Sequence, residues 1–270
     1  MTKVTFANGS VAETGRVLHV LDAAVITDVT PFHPVDHTWA DQPGDTGTLA
    51  GVEVRDTVMA ARGDGEWFLA SEIPVKRGTE GWEWAVAHIT DAEVSIGDSV
   101  ELVVDAERRA ALSAGHTACH LASLALDAAR ADFWTKDARL DPLGHPDFES
   151  AANQTSFISL DAAVDEYRMG KSLRKKGVDV ARVLESLPQV QDAVDAKLAE
   201  WVAADARSRV ETEGDKITDM RRWVCELPEG TASFPCGGTH VTGTAQLGSV
   251  TVSLEAPDPQ TLVMRTHVAR

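Results

Sequence analysis

The sequence predicts an α+β chain in two parts, and three observations carry that prediction. Short apolar runs punctuated by Gly, Pro and Asp fill residues 1–108. An alanine- and leucine-rich stretch without proline starts near Arg108. Alternating apolar and polar residues then close the chain. The expected boundaries are 1–108 for a β-rich part and 109–270 for a part that mixes helices with a sheet.

Taken in order, Val17–Val20, Ala23–Ile26, Trp67–Leu69, Trp84–Ile89 and Val100–Val104 have the length and spacing of strands in a small sandwich or barrel. Ile96-Gly-Asp-Ser-Val100 reads as a turn feeding the last of them. From Ala110 to Ala131 the residues Leu112, Leu121, Leu124 and Ala128 form an apolar stripe at helical spacing, with Gly115 a local weakness. Residues 135–156, with Pro142, Gly144 and Pro146, read as loop, and Ser156–Leu160 as a strand. A second helical region is expected over 190–210, where Val190, Val194, Leu198, Trp201 and Val202 share a face. Pro188 should separate it from a short helix before it. Ser249–Leu254 and Thr261–Arg265 alternate as sheet strands do.

The charge narrows the function. The chain has 270 residues and a formal net charge of −17. Residues 1–108 carry 7 basic and 19 acidic side chains, and residues 109–270 carry 18 and 23. Such a field disfavours DNA or membrane as a general partner. The exception is local: Arg168, Lys171, Arg174, Lys175 and Lys176 lie within nine residues that hold no acid. No apolar run approaches the roughly 20 residues that span a bilayer. The start of the chain has no apolar signal-peptide core, and three cysteines make no disulfide framework, so a reducing cytoplasm is expected.

Two short motifs carry chemistry. His116-Thr-Ala-Cys-His120 sets two imidazoles one helical turn apart, on one face. Pro235-Cys-Gly-Gly-Thr-His240 sets a thiol and an imidazole around two glycines, which let the backbone turn tightly. Either pair alone also arises in ordinary helices and turns. Together they offer three imidazoles and one thiolate, a donor set that suits Zn²⁺. Thr117 stands where a zincin would hold its general-base Glu, so the motif is not of that type. Four protein ligands leave open whether such a site is structural or catalytic. Cys119 and Cys225 read as small core residues. His33-Pro-Val-Asp-His37 is a weaker candidate for a second metal and equally reads as plain loop.

His-Thr-Ala-x-His-Leu followed by Cys-Gly-Gly-Thr-His-Val resembles the editing domain of alanyl-tRNA synthetases, the free-standing AlaX proteins, and the related editing domain of threonyl-tRNA synthetases. Asp105-Ala-Glu-Arg-Arg109 and Thr244-Ala-Gln-Leu-Gly248 agree with the family's flanks. The resemblance covers about 105–270 well and 1–104 weakly. In the weaker part the family's Gly-Gly-Gln element corresponds to Trp39–Gly47, with Gln42 retained and Ala40 and Asp41 replacing the glycines.

This resemblance implies an N-terminal small β-barrel followed by a two-layer α/β zinc-binding editing domain with an antiparallel sheet. It implies a metal-dependent hydrolase that cleaves the ester of mischarged tRNA, typically serine on the acceptor end of alanine tRNA. His116, His120, Cys236 and His240 carry over as zinc ligands. Thr48, Asn153 and Gln154 are candidate catalytic residues, and Gln42, Thr46 and Ser156 candidate substrate-binding residues. Lys171, Arg174, Lys175 and Lys176 are candidate phosphate contacts for tRNA. Two rival readings stand beside this one: a zinc hydrolase of another small ester or amide, and a non-catalytic, zinc-stabilised tRNA-binding module.

Overall fold

In a computed structural model, which describes residues 2–270, the chain is a mixed α+β protein. It divides into two compact units. The first is Met1–Ala110 with Val210–Arg222 and Pro235–Thr239; the second is Ala111–Arg209 with Trp223–Phe234 and His240–Arg270. No helix among the described residues is long and apolar enough to cross a membrane.

The first unit is built on strands β1 (Lys3–Val4), β2 (Ala12–Leu21), β3 (Ala24–Thr27), β4 (Val29–Thr30), β5 (Gly47–Leu49), β6 (Val52–Gly63), β7 (Glu66–Leu69), β8 (Glu83–Thr90) and β9 (Ser99–Val104). Seven of them form one antiparallel sheet in the order β5-β9-β2-β3-β8-β6-β7. Because β5 also pairs with β6, the sheet nearly closes on itself. Val17, Val25, Phe32, Leu49, Leu102 and Val104 form a core cluster inside it. The apolar runs of the sequence fall in these strands, with β6 the exception. Glu53, Arg55 and Asp56 interrupt its apolar pattern, yet its twelve residues pair with β5, β7 and β8.

Helix α1 (Ala106–Ala129) begins four residues before the predicted start. The Asp105 carboxylate accepts from the Arg108 N–H at 3.0 Å and so caps the first turn. Between α1 and the next strands, the predicted loop contains helix α2 (Phe148–Ala152). Strand β10 (Asn153–Ser159) starts three residues early and runs into β11 (Ala162–Arg168). Gly115 packs its backbone against the turn between these two strands: a Cβ there would sit 2.6 Å from the carbonyl oxygens of Ser159 and Ala162. What reads in sequence as a weak point in the helix is a close approach.

Helices α3 (Lys171–Lys176), α4 (Val180–Glu185) and α5 (Leu187–Ala203) follow. The short helix expected before Pro188 is α4, and Pro188 lies in the first turn of α5, where a missing N–H costs nothing. The helix ends at Ala203, short of the expected Val210, because 208–212 is strand β12 (Ser208–Thr212). The predicted apolar face of α5 is buried throughout.

Strands β13 (Arg221–Leu227) and β14 (Gly230–Pro235) complete a three-stranded sheet, and β15 (Ser249–Asp258) and β16 (Thr261–Ala269) a four-stranded sheet ordered β10-β11-β16-β15. As the edge strand, β15 has outward N–H groups without a strand partner. Asp195 and Gln191 on α5 accept from Val252 and Leu254 at 2.7 and 3.1 Å, which satisfies two of those donors and closes the edge.

Candidate metal centre

His116 and His120 extend from α1 with their ring centroids 4.7 Å apart, as a one-turn spacing dictates. Cys236 and His240 lie on the segment that leaves β14. The His240 ring is 4.4 Å from that of His116 and 5.1 Å from that of His120. One ligand atom from each of the four residues falls within 4.8 Å of the others, with His116 buried and the rest half-buried. Among the described residues this is the one group with that property. His33 and His37 do not join a second one: His33 packs edge-on against Phe6, and His37 Nε2 lies 3.0 Å from the Val75 carbonyl.

The surroundings prepare the imidazoles. Burial, and then the neighbouring His116, holds His120 well below its ordinary pKa, so the ring is neutral and keeps a lone pair. Burial likewise pushes the Cys236 thiol up to about 12. The metal-free thiol is therefore protonated at neutral pH, and becomes a ligand by releasing that proton. Three imidazoles and a thiol whose ligand atoms lie within 4.8 Å of one another make a donor set that fits a metal ion.

Two aromatic rings wall the group. Phe234 meets His120 edge-on at 4.7 Å and Trp223 lies 5.1 Å from it. Trp223 is held by its indole N–H, which donates to Ser208 Oγ at 2.8 Å. The sequence does not single these two out: Phe234 directly precedes the Pro235–His240 motif and Trp223 lies on β13, but their packing on His120 of α1 brings together segments distant along the chain.

The remaining candidate residues fall in four places. Gln42 is buried and grips Thr239, the residue before His240. Its Nε2 donates to Thr239 Oγ1 at 2.9 Å and its Oε1 accepts from the Thr239 N–H at 3.0 Å. Thr46 and Thr48 are half-buried, Thr48 within β5. On β10, Asn153 Nδ2 donates to Ser156 Oγ at 3.2 Å, and Ser156 donates to the buried Asp165 at 2.6 Å. Asp165 also accepts from the buried Cys119 Sγ at 3.5 Å. Gln154 is exposed and donates to the Asn153 carbonyl. Lys171, Arg174, Lys175 and Lys176 stand exposed on α3, which ends on Gly177 in the left-handed conformation.

No protein-family model matches the chain. The alanyl-tRNA editing protein AlaX-M of Pyrococcus horikoshii is 26% identical over 87% of this chain and 82% of its own length. The chain is thus similar to an AlaX-type alanyl-tRNA editing protein over most of its length. Alanine–tRNA ligases match as well: that of Chloroflexus aurantiacus is 27% identical over 90% of the chain, and that of Ruegeria pomeroyi 28% over 83%. The AlaX-like chain spans about a quarter of the length of these ligases. With its likeness to AlaX it combines a His₃Cys candidate metal site.

Proposed function

We propose that this chain hydrolyses the ester of mischarged aminoacyl-tRNA, serine on alanine tRNA being the substrate that the likeness favours. The observation that carries the reading is the convergence of His116, His120, Cys236 and His240 in a chain similar to AlaX-M over most of its length. The donor set favours zinc. Bound zinc would lower the pKa of a water, polarise the ester carbonyl, or hold the amino group of the substrate.

The residues of the chain supply the rest. His116, His120 and His240 through their imidazole nitrogens, and Cys236 as the thiolate, would hold the ion. Trp223 and Phe234 limit water around His120 and so strengthen electrostatic interactions there. Gln42 fixes Thr239, and with it the backbone that carries His240. This makes Gln42 a residue that shapes the site, beside the substrate contact that the resemblance gives it.

Serine differs from alanine by one hydroxyl. A site that hydrogen-bonds that hydroxyl disfavours the analogue lacking it by roughly 10⁴–10⁵-fold, since its own polar groups would otherwise be left unpaired. Thr46, Thr48, Asn153, Gln154 and Ser156 are the candidates for that contact and for catalysis. Lys171, Arg174, Lys175 and Lys176 on α3 would meet tRNA phosphates. Neutralising the last three should lower the salt slope of tRNA binding by about 2.

A second reading has one observation in its favour. Four protein donors can close a zinc coordination shell, and closed shells are usually structural. The deciding experiment is a deacylation assay on serine-charged and alanine-charged alanine tRNA. Rapid loss of serine with alanine retained is expected. Metal-loaded protein that cleaves neither would overturn the proposal.

A further inference from the structure

Thr117 lies between the two histidines of α1 in sequence and is wholly buried. Three partners surround its hydroxyl. The Ser113 carbonyl oxygen is 2.8 Å away, the Val241 backbone N–H 3.1 Å, and His240 Nδ1 3.1 Å. A hydroxyl has one hydrogen to give and two lone pairs to receive with. The carbonyl can only accept, so the hydrogen goes to Ser113, as helical threonines commonly arrange it. The Val241 amide can only donate, and takes one lone pair. The imidazole can do either, and the only place left for it is as a donor to the second lone pair.

We infer that Thr117 is a positioning residue that fixes the tautomer of His240. The ring carries its proton on Nδ1, and Nε2 keeps the lone pair for the metal. By also holding the Val241 N–H, the same hydroxyl fixes the backbone next to that ligand. The sequence offers no sign of this role, because Thr117 and His240 are 123 residues apart. Outer partners of this kind orient a ligating histidine and raise its basicity, and losing one costs about 10–100-fold in metal affinity.

The inference rests on the metal reading of the four-residue cluster, and the test separates the two. Zinc affinity is measured by competition with a chromophoric chelator in the wild type, Thr117→Ser and Thr117→Val. In parallel, long-range ¹H–¹⁵N spectra of metal-free wild type report the His240 tautomer without any variant. The expected results are an Nδ1-protonated ring, a loss of about 10–100-fold in affinity for Thr117→Val, and wild-type affinity for Thr117→Ser. An Nε2-protonated ring in the wild type overturns the inference even if Thr117→Val fails to fold. So does a Thr117→Val protein that binds zinc as tightly as the wild type. Wild type that takes up no metal overturns the metal reading itself, and this inference with it.

Discussion

His116 and His120 project from the middle of α1; Asp127 projects near its end, with Arg130 just beyond. Both groups are removed from water, with opposite consequences. At the first, burial keeps protons off His120 and leaves a neutral base ready for a metal. At the second, burial keeps protons on: it pushes the Asp127 carboxyl up to about 9 and the Glu149 carboxyl up to about 7. Arg130, wholly buried with Phe148 against its guanidinium at 4.3 Å, is pulled down to about 10 by the same cause and stays charged. One helix thus shows why a buried metal site built on imidazoles is ready for its ion at neutral pH, while buried carboxyls in like surroundings are not.

Replacing Cys236 by Ala attacks the first group most directly. It should lower metal affinity by more than about 100-fold, beyond the loss expected from an outer partner. Metal analysis after gel filtration checks this, and retention of the ion would show that the thiolate is dispensable.

Asp127→Asn sharpens the second group. Asp127 holds its proton in the folded chain up to about pH 9, but in the unfolded chain only up to its ordinary 3.8. The native state therefore binds more protons across that window, and stability falls as pH rises through it. Asn keeps an oxygen that can accept from the Phe148 and Glu149 N–H groups, as Asp127 Oδ1 does at 2.9 and 3.1 Å. The variant should lose much of the decline between about pH 5 and 9, a difference on the order of a few kcal/mol in urea unfolding. An unchanged pH slope would mean that Asp127 is ionised in the folded protein.

Gly115→Ala tests the seating of the helix itself. Helix propensity predicts a gain of about 1 kcal/mol. The contact with the Ser159 and Ala162 carbonyls predicts a loss of about 1–3 kcal/mol instead. A stabilised variant would show that the helix can shift at no cost.

Much of the first group was legible in the sequence and little of the second. His116 and His120 declare themselves because one helical turn fixes their relation, and Cys236 and His240 because two glycines mark the turn between them. Asp127, Arg130 and Glu149 look like ordinary surface charges, since nothing in the local sequence shows that α2 and β11 cover them. The same distinction holds for the fold. The α5 stripe and the strands β15 and β16 follow from periodicity. The length of β6 and the near closure of its sheet depend on pairing between distant segments, and Thr117, Trp223 and Phe234 gain their roles the same way. The early start of α1 comes from its capping residue Asp105, which the apolar stripe does not reveal. The place of Pro188 inside α5 follows from the tolerance of a first turn for proline.

The most direct test of a catalytic metal centre is graded chelation of wild-type protein, following deacylation of serine-charged alanine tRNA and far-ultraviolet circular dichroism on the same samples. The account predicts that turnover disappears while the fold persists, and that adding zinc restores it. Fold and turnover lost together would assign the metal a structural role, and turnover indifferent to chelation would contradict a metal-dependent reaction altogether.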